Sequence, residues 1–259
     1  MRLKFGPSGL GPTKDAINNL VLYNSHNLTA CEIAFTYGVY IKEQDAKEIK
    51  DKAEELNISM SIHAQYFVNL NAKDKTKLEA SKKRILDCCE RANQLGAKNI
   101  IFHAGFYAGI EEELTFQNIK TQIIELQKII KKKNWDVKLC PEVMGKKNVF
   151  GSIDEISRLV KETGCSFCID FAHILARYDK HMFKEVIAAF PQEDWHCHFS
   201  GIEYSVEKGE KKHKKTLTEE WQNLISNLKN LDKNITIINE SPDQLQDSID
   251  GLKIYNTQS

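Results

Sequence analysis

Short apolar runs alternate with amphipathic stretches along the whole chain. Each apolar run has the length of a β-strand, and each stretch that follows carries apolar residues at the spacing of one helix face. Eight strands are predicted in this way, at residues 3–5, 30–35, 58–63, 99–103, 137–143, 166–170, 195–199 and 235–239. Regular alternation of this kind is typical of parallel strands joined by helices.

Local signals place several helix ends. Asp74 and Ser152 are expected to cap helices, because each precedes an amphipathic stretch. Thr13 is expected to cap the first helix, and Pro242 to lie in the first turn of the last helix. The polar stretch 200–215, which follows the seventh strand, is expected to be a loop.

The eight strand–helix units fill the 259 residues without a linker-like break. Their number predicts an α/β fold, a (β/α)8 TIM barrel that forms a single domain over residues 1–259. A doubly wound open sheet is the alternative. We favour the barrel, because a closed barrel gathers all of its strand ends around one point.

The charges of the chain balance, since 36 Lys and Arg stand against 36 Asp and Glu. Overall charge therefore gives no argument for nucleic acid, although a local basic rim could still bind it. No signal peptide or membrane span is expected, because the chain lacks apolar stretches of the necessary length. The seven scattered cysteines indicate reduced thiols in the cytoplasm.

Side chains that can bind a cation occur where the predicted strands end. A carboxylate at the end of a buried strand is costly unless something positive meets it. Two further histidines lie in the segments after strands six and seven. The full set of candidate metal ligands is His63, His103, Glu142, Asp170, His173, His198, His213 and Glu240. On one face of a barrel, these groups together predict metal binding.

The candidate ligands divide by chemistry. A subset rich in carboxylates suits a divalent ion that polarises oxygen atoms: Glu142, Asp170, His198 and Glu240. The other four ligands are imidazoles, which favour zinc over magnesium. Because so many ligands exceed what one ion can use, two or three ions per chain are expected. Such an arrangement is typical of in-line attack on a phosphodiester.

Seven short motifs follow one another along the chain: Ser61-Ile-His-Ala-Gln-Tyr66, Phe102-His-Ala-Gly105, Pro141-Glu142 with Asn148-Val-Phe-Gly151, Cys168-Ile-Asp-Phe-Ala-His173, His198-Phe199, Lys212-His213 and Asn239-Glu-Ser-Pro242. In this order they resemble the motifs of the endonuclease IV family. The resemblance covers essentially the whole chain. It implies a TIM barrel with a trinuclear zinc site that cleaves DNA 5′ to an abasic site, with manganese as an alternative metal.

The resemblance also implies roles for single residues. Glu142 would be the catalytic residue, which bridges two ions and positions the nucleophile. The remaining ligands would divide among three ions: His63 and His103 on the first, Asp170, His198 and Glu240 on the second, and His173 and His213 on the third. Tyr66 would enter the DNA near the lesion, with an ordinary rim aromatic as the alternative.

One position departs from the family pattern. The family has an aspartate two residues before the histidine that His213 matches, and here that residue is Lys211. A charged lysine cannot ligate a metal. A shift of the chain would let Glu210 substitute; without it, we expect the third ion to be weakly held. Lys212 belongs to the basic run Lys211-Lys-His-Lys-Lys215. It is a candidate DNA contact, with a solvated charge run as the alternative.

The expected partner is duplex DNA with abasic sites, bound by a cytoplasmic monomer without an obligate protein partner or a membrane. A single-metal sugar isomerase or epimerase of the same fold is the competing function, since Glu142, Asp170, His198 and Glu240 alone would suffice for it. The additional imidazoles favour the endonuclease, because a single-metal enzyme has no use for them. A non-catalytic metal-binding barrel is a third alternative.

Overall fold

The computed structural model describes residues 2–258. The strands are β1 (Arg2–Pro7), β2 (Ala30–Ala34), β3 (Ser59–His63), β4 (Asn99–Phe102), β5 (Gly105–Phe106), β6 (Lys138–Pro141), β7 (Val149–Phe150), β8 (Ile169–Asp170), β9 (Asp194–Phe199), β10 (Gly201–Ser205), β11 (Gly209–Lys214) and β12 (Asn234–Asn239). The helices are α1 (Ala16–Ser25), α2 (Glu43–Glu55), α3 (Lys75–Leu95), α4 (Glu112–Lys132), α5 (Ile153–Thr163), α6 (Phe171–Tyr178), α7 (Phe183–Ala189), α8 (Thr218–Leu228) and α9 (Gln244–Thr257).

Parallel strands close into a barrel. One sheet has the order β2-β3-β4-β6 and a second the order β8-β9-β12-β1. The amide of Val143 donates to the carbonyl of Cys168 at 3.0 Å and joins β6 to β8. The amide of Thr29 donates to the carbonyl of Phe5 at 3.2 Å and joins β1 to β2. The predicted TIM barrel is therefore confirmed, and the open sheet is wrong.

The largest part of the core lies between the barrel and its surrounding helices. Trp221 of α8 is buried there, with its ring edge-on to Phe5 at 5.9 Å and to Phe199 at 4.9 Å. Burying a large apolar side chain of this kind stabilises the fold by about 1.5–3 kcal/mol. Within residues 2–258, no helix is long and apolar enough to span a membrane.

Two of the four predicted helix starts are confirmed. Asp74 accepts a hydrogen bond from the amide of Lys77, and Ser152 forms the expected capping box with Glu155. Thr13 does not cap α1, because a 3-10 turn at Thr13–Asp15 precedes that helix. Pro242 lies outside α9, which begins at Gln244.

Among the elements that were not predicted, a helix and a hairpin matter most for the site. Helix α6 follows β8 without a loop, because Asp170 ends the strand and its carboxylate accepts from the amide of His173 as the helix cap. The polar stretch 200–215 is mostly an antiparallel hairpin of β10 and β11, and not a loop. The lysine-rich sequence of β11 lacks the apolar alternation by which strands are usually identified, and β10 offers only Ile202 and Tyr204. Both elements stand above the carboxyl ends of the barrel strands and add side chains there.

We predict that Ser152→Ala lowers the free energy of unfolding by about 1 kcal/mol, because α5 loses the side-chain acceptor for the amide of Glu155. Urea denaturation followed by circular dichroism measures the change. Ser157→Ala is the matched control, since its hydroxyl only donates to the carbonyl of Asp154 on the exposed side of the same helix. Equal stability of the two variants would contradict the role of the capping box.

Candidate metal centre

All eight predicted ligands lie at the carboxyl-terminal end of the barrel. Six of them stand at or just after strand ends: His63, His103, Glu142, Asp170, His198 and Glu240. His173 comes from the first turn of α6, and His213 from β11 of the hairpin. Active sites of TIM barrels lie at this end, where loops from different strands meet. The fold thus brings together residues that are up to 177 positions apart, from His63 to Glu240.

Glu142 is at the centre of the cluster and is buried. Its Oε2 lies 3.1 Å from Nε2 of His103 and 3.4 Å from Nε2 of His63. Its Oε1 lies 3.1 Å from Nδ1 of His198 and 3.4 Å from Nδ1 of His173. Burial alone would raise the pKa of Glu142, but the imidazoles outweigh burial and hold this pKa well below its usual range.

Three of the imidazoles are held in a fixed tautomer by acceptors behind them. The Nδ1 of His63 lies 2.7 Å from the carbonyl of Ala64, and Nδ1 of His173 lies 3.1 Å from the carbonyl of Val143. A carbonyl oxygen only accepts, so each Nδ1 carries a proton, and a lone pair remains on Nε2 when the ring is neutral. Nδ1 of His213 lies 2.6 Å from the Ser200 hydroxyl, which itself donates to the carbonyl of Gly201. This is how histidine ligands are oriented in metal sites.

Three overlapping groups contain all eight ligands, and within each group the ligand atoms lie within 4.8 Å of one another; His63, His198 and Glu240 form a further group of this kind. The groups are His63, His103 and Glu142; Glu142, Asp170, His198 and Glu240; and Asp170, His173 and His213. Glu142 belongs to the first two groups, and Asp170 to the last two. Separations of this size suit donor atoms that converge on a common ion.

The chemistry of Asp170 fits a cation at this point. Its side chain is buried, and among the described residues its Oδ2 accepts no hydrogen bond, although Nδ1 of His173 lies 3.2 Å away. Burial raises the pKa of Asp170, and the carboxylates of Glu142 and Glu240 raise it further. A buried carboxylate oxygen without a partner is costly, and a bound divalent ion would satisfy it. The residues present therefore fit a metal centre of imidazoles and carboxylates.

A buried carboxylate beneath this centre was missed in the sequence. Glu32 of β2 is buried inside the barrel, where its Oε2 accepts from the Ser61 hydroxyl at 2.7 Å and lies 3.0 Å from Nε2 of His196. Its Oε1 lies 3.0 Å from Nε2 of His198. Burial raises the pKa of Glu32, but His198 and His196 outweigh burial and lower it. A glutamate in the middle of an otherwise apolar strand was the signal that could have revealed it.

The two predicted DNA contacts lie on the rim. Tyr66 is 52% exposed, and its ring stands 5.8 Å from that of His63 and 5.6 Å from that of His103. The side chain of Lys212 is 71% exposed, and its Nζ lies 3.4 Å from a carboxylate oxygen of Glu203. Both side chains are therefore accessible from the mouth of the barrel.

Comparison with known proteins identifies the family of the chain. The family model of the xylose isomerase-like TIM barrel matches residues 21–257. An uncharacterized protein of Methanocaldococcus jannaschii is 35% identical over an alignment of 270 positions, which covers 98% of this chain and 97% of that protein. A probable endonuclease 4 of Mycoplasmoides gallisepticum is 29% identical over 150 residues, 55% of this chain and 48% of that protein. The match thus spans about half of the endonuclease.

Solved structures with the same fold come from different enzymes. Endonuclease IV from Thermus thermophilus superposes with a TM-score of 0.71 at 17% identity and covers 100% of both chains. D-psicose 3-epimerase from Clostridium cellulolyticum also gives 0.71, at 12% identity, and covers 99% of both chains. At these identities the similarity shows the fold alone. Together with the endonuclease relatives, however, the family model confirms the resemblance to endonuclease IV, and the chain belongs to the xylose isomerase-like TIM-barrel family.

Proposed function

We propose that the protein is a metal-dependent endonuclease, which hydrolyses the phosphodiester 5′ to abasic sites in duplex DNA at a multinuclear zinc site. The observation that carries this proposal is the set of three overlapping ligand groups around Glu142 and Asp170. Two of these groups depend on imidazoles outside the carboxylate-rich set. Imidazole favours zinc over magnesium, and several adjacent ions suit phosphodiester cleavage.

The competing proposal is a sugar epimerase with one ion. The group of Glu142, Asp170, His198 and Glu240 would be enough for such an enzyme, and epimerases are among the proteins with the same fold. The other imidazoles decide against it. His63, His173 and His213 have one ring nitrogen anchored to an acceptor and the other free for a ligand, which is not needed for chemistry at a single ion.

The side chains around the centre have distinct tasks in the proposed reaction. Divalent ions bound there would lower the pKa of water and stabilise the negative charge that develops on a phosphoryl group. Glu142 directs Oε2 towards His63 and His103 and Oε1 towards His198, so it reaches two ligand groups at once and would orient the attacking water. Glu32 would hold Nε2 of His198 from below and leave Nδ1 to face the centre.

The rim of the barrel mouth has the composition of a surface that binds DNA. Exposed aromatic rings stand on the loops after β2 and β3, with Tyr37 88% exposed and Phe67 56% exposed beside Tyr66. The hairpin of β10 and β11 carries Lys212, and its neighbour Lys215 has a side chain that is 62% exposed. Aromatic rings can stack on bases and lysines can neutralise phosphates. We infer a monomer that acts in the cytoplasm, where its seven buried thiols stay reduced.

We predict that the zinc-loaded protein nicks a duplex that carries one abasic-site analogue and leaves a 3′ hydroxyl. The physical reason is the convergence of three ligand groups at an open, basic rim. A labelled duplex resolved on a denaturing gel measures the cleavage, with chelated protein as the control. Absence of cleavage, together with epimerisation of a ketose by the same preparation, would favour the epimerase.

We predict that Glu142→Gln lowers the cleavage rate by several orders of magnitude, because glutamine keeps the shape but loses the charge that reaches two ligand groups. Single-turnover cleavage measures the rate. Glu193→Gln is the matched control, since Glu193 is exposed at the opposite end of the barrel. Thermal unfolding of both zinc-loaded variants separates a lost reaction from a lost fold. A near-normal rate in Glu142→Gln would show that Glu142 is structural.

We predict that Glu32→Gln weakens zinc binding by about 10–100-fold, the usual effect of removing the partner behind a histidine ligand. Competition with a chromogenic chelator measures the affinity. Ser61→Ala is the control, because it removes a hydrogen bond to the other oxygen of Glu32 and does not touch His198. Equal affinities in the wild type and both variants would mean that Glu32 only stabilises the barrel interior.

A further inference from the structure

The hairpin above the metal centre contains a bulge at the residue that departs from the family pattern. In the register of β10 and β11, Glu203 pairs with Lys212, and the next residue, Tyr204, pairs with Glu210. Lys211 is therefore the extra residue, with no partner of its own on β10. A bulge of this kind bends a strand and changes the direction of the side chains beyond it.

The bulge turns Glu210 towards the metal centre. In a regular strand, side chains two residues apart share a face, so residue 211 would face the centre together with His213. Here Nζ of Lys211 lies 3.8 Å from Oε1 of Glu203, and its side chain is 54% exposed. Oε2 of Glu210 instead lies 3.4 Å from Nε2 of His173, and its side chain is only 14% exposed. The carboxylate is thus regained one position away from the expected one.

Two glycines allow the hairpin to approach this closely. The amide of Glu210 donates to the carbonyl of Gly145 at 3.3 Å, and Lys146 pairs with Gly209 in an antiparallel bridge. A methyl group on Gly145 would lie 2.8 Å from Cβ of Glu210 and 3.0 Å from Cδ2 of His173. Gly209 has φ +82, and a methyl group there would meet the carbonyl oxygen of Gly145 at 2.1 Å. The backbone contact therefore fixes the position of Glu210.

The facing atoms of Glu210 and His173 require something positive between them. Nδ1 of His173 lies 3.1 Å from the carbonyl of Val143 and carries a proton, so Nε2 presents a lone pair when the ring is neutral. A carboxylate oxygen 3.4 Å from a lone pair is repelled unless a proton or a cation lies between them. Asp170 and His213 form a ligand group with the same His173 ring, and Oδ2 of Asp170 lies 3.2 Å from its Nδ1.

We propose that Glu210 takes the place of the missing aspartate and binds the ion held by Asp170, His173 and His213. This inference rests on the proposed multinuclear site. With Glu210, the ion would have four donors: two imidazoles, the carboxylate of Glu210 and the carboxylate of Asp170, which is shared with the neighbouring group. Lys211 is directed away from the ion, so the expectation of a weakly held third ion gives way to a complete set of ligands.

The test is metal retention by variants of the hairpin. Wild type, Glu210→Gln, Lys211→Asp and Glu203→Gln are loaded with zinc, dialysed against a mild chelator and analysed for zinc per chain. Glu203→Gln is the matched control, because it makes the same change on the paired strand, where Glu203 contacts lysines. Circular dichroism of each variant monitors the fold, and anomalous scattering from crystals locates the ions.

We expect three ions in the wild type, in Lys211→Asp and in Glu203→Gln, but two in Glu210→Gln, with affinity for the third ion lower by about 100-fold or more. The third anomalous peak should lie about 2.0–2.2 Å from a carboxylate oxygen of Glu210. Three ions held equally well by Glu210→Gln, or a gain of metal in Lys211→Asp over the wild type, would overturn the inference.

The metal measurement also separates this inference from the proposed function. Three ions in the wild type, the loss of one in Glu210→Gln and no cleavage of an abasic duplex would support the ligand and contradict the endonuclease. Cleavage by a wild type that holds no third ion would support the endonuclease and contradict Glu210 as a ligand. A wild type with a single ion and no cleavage would overturn both.

Discussion

The candidate metal centre depends on carboxylates that are buried next to one another and surrounded by imidazoles. At an effective dielectric constant of 20, two like charges 4 Å apart repel by about 4 kcal/mol, so buried Glu142 and Asp170 cannot both be charged without compensation. Protons on the imidazoles can supply part of this compensating positive charge. Burial lowers the pKa of His63, but Glu142 outweighs burial and raises this pKa to about 9. Divalent ions would replace these protons, so metal binding should release protons.

The barrel itself does not decide between nuclease and epimerase, because both kinds of enzyme share its fold. The difference lies in what the elements after the strands add to the four ligands of the carboxylate-rich group. Helix α6 brings His173, and the hairpin brings His213 and the lysines of the rim. A single-metal enzyme would leave the imidazoles of His173 and His213 without a task. The anchored ring nitrogens of His173 and His213, and their common ligand group with Asp170, therefore carry more weight than the similarity of folds.

The sequence predicts this fold well because its strands are buried apolar runs that end in polar ligands, a pattern visible without any tertiary information. Predicted strand ends such as His63 and Asp170 coincide with the strand ends in the structure. The role of Glu32 could not be predicted, because it depends on contacts with His196 and His198, more than 160 residues away. The hairpin was missed because β11 is rich in lysine and its apolar contacts come from β10 alone, where Ile202 and Tyr204 pack against α6.

The departure at Lys211 shows why position in sequence and position in space must be distinguished in a strand. Because side chains alternate between faces, a ligand moved by one residue would normally point away from its metal. Here a bulge adds Lys211 as an extra residue to β11, so that Glu210 again lies on the face of the strand that is turned to the metal centre. The bulge thus accounts for two observations at once. The side chain of Lys211 points away from the metal centre, and that of Glu210 points towards it. A motif comparison counts a lost ligand, whereas the register of β10 and β11 places a carboxylate beside His173.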